Sequence, residues 1–216
     1  MRYEIIPSGL DYVNTNARII VVGKTPGSNQ MATRIDNLSP KEVKKTRAFA
    51  GTIRTNLVKM LDYIGINRFL GIESCITLWV IDYEKYADFT SILKNCVKDT
   101  KKTKNPFISS IPRNMEKYPE IESEYKEGFA ADCSKYINAK LWIALGSDVE
   151  QILQALQKAG VISSESIILT IPHPSGANAG RIAAFLGENV NAGTAENKAR
   201  AYAQVCLQQM DALNKA

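Results

Sequence analysis

The sequence predicts an α/β protein, a three-layer αβα sandwich around a short, mainly parallel four-stranded sheet. Two observations carry this. Short apolar runs alternate with amphipathic helical patterns, as they do when helices cover both faces of a parallel sheet. The first and last of these runs also end abruptly in loops of Gly, Pro and polar residues, as strands do where their carboxyl ends meet a ligand crevice.

Four runs read as strands: residues 17–22, 74–80, 139–145 and 166–171. The outer two, which contain Ile19-Ile20-Val21-Val22 and Ile167-Ile168-Leu169-Thr170-Ile171, are β-branched with little alternation, as expected when both faces are covered. Between the strands, Ile53, Leu57, Met60, Leu61 and Ile64 recur at helical spacing, with Gly65 as a stop. Val149, Ile152, Leu153 and Leu156 repeat the pattern and end near Gly160. Residues 195–213 are alanine-rich and free of Pro and Gly, which predicts a closing helix. Residues 105–128 break the rhythm with Pro106, Pro112 and Pro119, and read as an insertion or long loop within one domain spanning 1–216. Trp79 and Trp142 lie inside strand patterns and are assigned to packing.

Composition narrows the function. No apolar stretch reaches the roughly 20 residues that cross a bilayer, and the N-terminus lacks the apolar core of a secretory signal. A cytoplasmic (nucleoid-associated) or nuclear protein, not secreted and without membrane partners, is therefore expected. Cys75, Cys96, Cys133 and Cys206 are widely spread, without zinc or iron–sulfur spacing, so reduced thiols and no metal are expected. The net charge of +5 is unevenly placed. Lys94, Lys98, Lys101, Lys102 and Lys104 form one basic group, and Lys41, Lys44, Lys45 and Arg47 a second. Each is either a set of phosphate contacts or a solvated face.

The strand-end loops hold the candidate chemistry. Gly23-Lys24-Thr25 lacks the earlier glycine of a phosphate-binding P-loop, because Arg18 stands there. No G-x-S-x-G elbow supports a serine hydrolase. What remains is His173, the one histidine of the chain, on a proline-bearing turn opposite a Pro-Gly loop. Such a donor suits stabilisation of negative charge on a leaving group.

These residues resemble the motifs of the uracil-DNA glycosylase superfamily. Gly23-Lys24-Thr25-Pro26-Gly27 resembles its first loop, and His173-Pro174-Ser175 its second. Phe49-Ala50-Gly51 resembles the Phe-x-Gly element that opens the following helix, and Leu141-Trp142-Ile143-Ala144-Leu145-Gly146 the strand and turn before the second motif. The resemblance implies a DNA glycosylase that flips a damaged base out of the helix and hydrolyses its N-glycosidic bond, without cofactor or metal and as a monomer. It implies that His173 hydrogen-bonds the departing base, with Lys24 and Thr25 in the catalytic loop. Gly23, Pro26, Gly27, Phe49 and Thr77 would form the base pocket, and Ser175, Gly176, Asn178 and Arg181 would contact DNA.

The chain also departs from the family. Lys24 and Thr25 stand where members carry Asp, Asn or Glu, and Thr77 is the nearest substitute for an asparagine that reads the base edge. The segment between Gly27 and Phe49 is longer than the family's compact loop. Two alternatives stay open: a catalytically weak or inactive protein of the same fold that binds a base or nucleic acid, and an unrelated small-molecule enzyme on the scaffold.

Overall fold

The computed structural model describes residues 1–27, 38–80, 86–112, 114–188 and 195–215. At its centre four strands run parallel in the order β3-β2-β5-β6: β2 (Ile19–Gly23), β3 (Ala87–Ser91), β5 (Leu141–Leu145) and β6 (Ile167–Ile171). Alternation along the strands divides the core in two. Ile19, Val21, Leu141 and Ile143 pack on one side with Leu57, Leu61 and Phe185. Ile20, Val22, Trp142 and Ala144 pack on the other with Phe129, Tyr136 and Leu153. Both faces are thus apolar, which explains the continuous hydrophobic runs of β2 and β5.

The helices form the outer layers. α1 (Pro40–Arg47) precedes α2 (Thr52–Ile64), which ends at Gly65 as its spacing predicts, and α3 (Ile66–Leu70) follows directly. α4 (Pro119–Ser123) runs through a π-helical stretch, Glu124–Ala130, into α5 (Ala131–Cys133). α6 (Ser147–Lys158) follows β5, α7 (Ala179–Phe185) follows β6, and α8 (Ala195–Lys215) closes the chain. Apart from the main sheet, β1 (Tyr3–Ile6) and β4 (Cys96–Asp99) pair antiparallel over a small core of Tyr3, Leu93, Val97 and Ile121. Among the described residues, no helix is long and apolar enough to cross a membrane.

Two expectations need correction. Residues 74–80 are not a strand: Cys75–Trp79 is a 3-10 helix. The Asp62 carboxylate accepts from the Cys75 N–H and the Ser74 hydroxyl (both 2.7 Å), and the Ser74 Oγ accepts from the Ile76 N–H (3.3 Å), which fixes a turn whatever the strand propensity of Ile76 and Val80. The strand that pairs with β2 is Ala87–Ser91, which carries the buried polar residues Asp88, Thr90 and Ser91. Residues 105–128, expected to be an insertion or long loop, include α4 and part of the π-helical stretch.

The basic groups separate by burial. Lys44 pairs with Asp88 at 2.8 Å, both almost fully buried; Lys45 donates to the Leu78 carbonyl at 2.7 Å; Lys94 pairs with Asp132. These cations hold the interior together and are not available to phosphate. Lys101, Lys102 and Lys104 are exposed.

Candidate active site

The carboxyl ends of β2, β3, β5 and β6 converge on one edge, as parallel strands must. Gly23 ends β2 opposite Ser91, the last residue of β3. A Cβ on Gly23 would meet the Phe49 ring at 3.0 Å and the Ser91 Oγ at 3.2 Å, so only glycine lets the aromatic ring close over the strand end. The first loop stays attached to the segment after β3: the Ile92 N–H donates to the Gly23 carbonyl and the Leu93 N–H to the Lys24 carbonyl, both at 3.0 Å. Thr25 Oγ1 donates to the Asn95 carbonyl at 3.3 Å. Phe49 holds φ at +52°, an uncommon conformation for an aromatic residue, and packs edge-on against Phe89.

The second loop is braced from two sides. Asn56, on α2, donates to the Pro174 carbonyl at 2.9 Å. Within the loop the Ser175 N–H donates to His173 Nδ1 at 3.3 Å, and Asn178 Nδ2 donates to Ser175 Oγ at 3.1 Å. An imidazole that accepts at Nδ1 carries its proton on Nε2. Burial, and secondarily the charge of Lys24, hold the His173 pKa below its ordinary value of 6.5, so the ring is a neutral Nε2–H donor at physiological pH.

Between the loops lies an open cleft of about 670 Å³. Gly23, Lys24, Thr25, Gly27, Phe49 and His173 line it, with Ser175, Asn178 and Arg181 on the side of the second loop. The structure thus brings together residues that are 146 or more positions apart, from Gly27 to His173. Lys24 spans the cleft to Asp148, in the first turn of α6, at 2.6 Å. Its side chain runs past Gly146, whose φ of +102° lets β5 turn straight into α6.

Other expected site residues stand elsewhere. Thr77 lies half-buried in the 3-10 helix and does not line the cleft, because the strand assumed to carry it does not form. Pro26 is buried behind the loop, and Gly176 is exposed in the short 3-10 turn Gly176–Asn178, neither of them lining the cleft. Arg181 does line the cleft, but its guanidinium is tied to Glu196 of α8 at 2.6 Å. Residues 28–37, within the segment between Gly27 and Phe49, fall outside the described residues.

Sequence reasoning missed Asp148, Ser91 and Asn56, and a cleft wall made by Asn105, Phe107, Ile108 and Ser109. Asp148 had a signal, since it follows the Gly146 turn at a strand end. Asn56 had none, because it lies on a helix whose apolar face dominates the pattern. Among the described residues, no group of three His, Cys, Asp or Glu is placed to hold a metal ion.

Comparison with known proteins adds three findings. The uncharacterized protein YoxB of Bacillus subtilis (strain 168) is 27% identical over 188 residues, which cover 81% of this chain and 71% of YoxB. The crystal structure of wild-type SMUG2 from Pedobacter heparinus superimposes with a TM-score of 0.48 at 11% identity, over 99% of this chain and 89% of that one. The model of the uracil DNA glycosylase superfamily matches residues 10–192, a span that contains β2, β3, β5, β6 and both cleft loops, and the chain belongs to that superfamily.

Proposed function

We propose that this protein is a monofunctional DNA glycosylase that removes uracil or a related deaminated base by hydrolysing its N-glycosidic bond. The observation that carries the reading is His173: a neutral imidazole with Nδ1 committed to the Ser175 N–H, and Nε2–H without a partner among the described residues and placed to donate within the cleft. As the bond between C1′ and the base breaks, the electron pair flows onto the base, and that donor stabilises the charge on a base carbonyl oxygen. A water molecule adds its oxygen to C1′, and its proton ends on the departing base or solvent. The flipped base lies against Phe49, and flanking phosphate meets Ser175 and Asn178.

Lys24 beside a developing sugar cation is repulsive in isolation. Its pairing with Asp148 offsets that charge and brings a carboxylate into the cleft from α6 in place of one from the first loop. Asp148 is the group we assign to holding the attacking water, with the Thr25 hydroxyl as a second acceptor.

The test is base excision from labelled oligonucleotides carrying uracil, hypoxanthine or xanthine, in single and double strands. Alkali-sensitive sites formed by the protein and lost in His173→Ala support the reading and identify the base. One observation favours a second reading, recognition without excision: the first loop offers a lysine and a threonine where a carboxylate or amide would activate water. Preferential binding of a damaged base with no excision would move the assignment there.

A further inference from the structure

A second depression of about 310 Å³ adjoins the cleft and shares Asn105, Phe107, Ile108 and Ser109 with it. These four residues form a wall with one face on each depression. The wall is anchored to the small antiparallel sheet, not suspended as a free loop. The Asp99 N–H donates to the Pro106 carbonyl at 2.8 Å, the Ile108 N–H to the Val97 carbonyl at 2.9 Å, and Phe107 bridges Lys98 of β4. Asn105 turns the chain into the wall with φ at +49°, a conformation asparagine tolerates better than most residues.

The charge of the second depression is one-sided. Arg2 and Asp99, both on its lining, neutralise each other through Nη2–Oδ2 contact at 2.9 Å, and Arg2 Nη1 also donates to the Tyr118 hydroxyl at 3.1 Å. Glu120 is occupied by the backbone N–H groups of Arg2 and Tyr3, and Glu4 by Lys98. Lys102 lines the depression, and Lys101 and Lys104 are exposed beside it in sequence. Among the described residues none of these three lysines has an ion-pair partner. A half-buried aromatic ring beside exposed lysines that form no direct ion pair, continuous with the cleft, is the chemistry of a single-stranded nucleic-acid track.

We propose that this depression is a binding site for the single-stranded DNA segment adjoining the nucleotide held in the cleft. Phe107 is a stacking platform for a neighbouring base, and Lys102, with Lys101 and Lys104, takes the phosphates. The inference rests on the cleft being a base pocket, and it commits to single strands as the preferred DNA form. A stacked, unpaired neighbour requires no further melting of a duplex.

The experiment measures binding of the full chain to undamaged oligothymidylates of about 4 and about 12 nucleotides and to a duplex of about 12 base pairs, across a salt series. Affinity should be higher for the longer single strand than for either other ligand. Phe107→Ala should weaken that binding about 5- to 150-fold, and Phe107→Leu should not restore it, because leucine keeps the apolar packing but has no π face. Lys102→Ala should lower the slope of log affinity against log salt by about 0.7, the contribution of one single-strand phosphate. The proposal is overturned by tighter binding to duplex, by equal binding of the two single strands, by full rescue with Phe107→Leu, or by an unchanged slope in Lys102→Ala. None of these readouts uses excision. Loss of the track with excision intact therefore refutes this inference alone, and a working track without excision refutes only the glycosylase reading.

Discussion

Replacing His173 with alanine separates a contribution to catalysis from one to folding. In the folded protein the ring makes one long hydrogen bond, from the Ser175 N–H at 3.3 Å, so truncation costs about 0.5 kcal/mol and lowers Tm by about 1–2 °C. Loss of a donor aimed at transition-state charge costs about 2.7–4 kcal/mol, or 100- to 1000-fold in rate. The cleft is open and the donor neutral, which points to the lower end, about 100-fold. Single-turnover excision of uracil by wild type and variant, beside thermal unfolding, measures both. Less than about a tenfold loss of rate at unchanged Tm would refute the assignment of His173. The pH profile supplies a second check. Burial and Lys24 lower the His173 pKa, so the neutral donor persists as pH falls through 6.5, and the rate should stay flat to that point. Below the folded pKa a proton on Nδ1 would face the Ser175 N–H, donor against donor, and the rate should fall. Lys24→Met removes the second cause of the shift and should move this acid limb to higher pH. The stability sign follows: below 6.5 the unfolded histidine binds a proton that the folded one refuses, so this group makes the protein less stable as pH falls.

Gly23→Ala brings a methyl group to 3.0 Å from the Phe49 ring; it should cost about 1–3 kcal/mol in stability and a larger factor in excision, read by unfolding and single-turnover rates together. Lys44→Met leaves Asp88 buried without its cation and should cost about 3–5 kcal/mol, lowering Tm by about 10 °C; adding Asp88→Asn should recover most of this in a thermal melt. Asn56→Ala removes the 2.9 Å bond to the Pro174 carbonyl, with an expected loss of about 1 kcal/mol and a fall in kcat, because the loop carrying His173 is held less firmly.

The parts of the fold legible in the sequence are those whose hydrophobic burial is uninterrupted. β2 and β5 read clearly because both faces of each are covered by apolar side chains, β6 because its Ile and Leu run survives at the sheet edge although three of its five residues are half-buried, and α2 and α6 because their buried positions follow helical spacing. β3 escaped because Ala87-Asp88-Phe89-Thr90-Ser91 looks polar. Its Asp88 is buried through partners distant in sequence: Lys44, Tyr136 (2.7 Å) and the Asn14 N–H (3.0 Å). The same long-range pairing hid the role of the lysines. Lys44 and Lys94 look like solvent-facing charges until Asp88 and Asp132 are brought against them. Conversely, the strand-like composition at 74–80 was overridden by one carboxylate, Asp62, which ties the chain into a 3-10 turn. Thr77 was misplaced for that reason. The two cleft loops were legible because Gly, Pro and a lone histidine at strand ends are a local signal.

On the proposed glycosylase reading, the relation of Lys24 to Asp148 reconciles a first loop without a carboxylate with cleavage of a glycosidic bond. A lysine at the end of β2 would by itself disfavour a developing sugar cation. It also disfavours protonation of His173, keeping the ring in the neutral form that its contact with the Ser175 N–H requires. The carboxylate of Asp148, 2.6 Å away, cancels the first effect more fully than the second. It is paired directly with the ammonium group and remains more than half exposed to the cleft, whereas His173 lies deeper, where charge is screened less. In that reading one ion pair separates two electrostatic demands, a neutral donor at the base and no net positive charge at the sugar. The acidic side chain is delivered by the turn after β5 and not by the loop after β2.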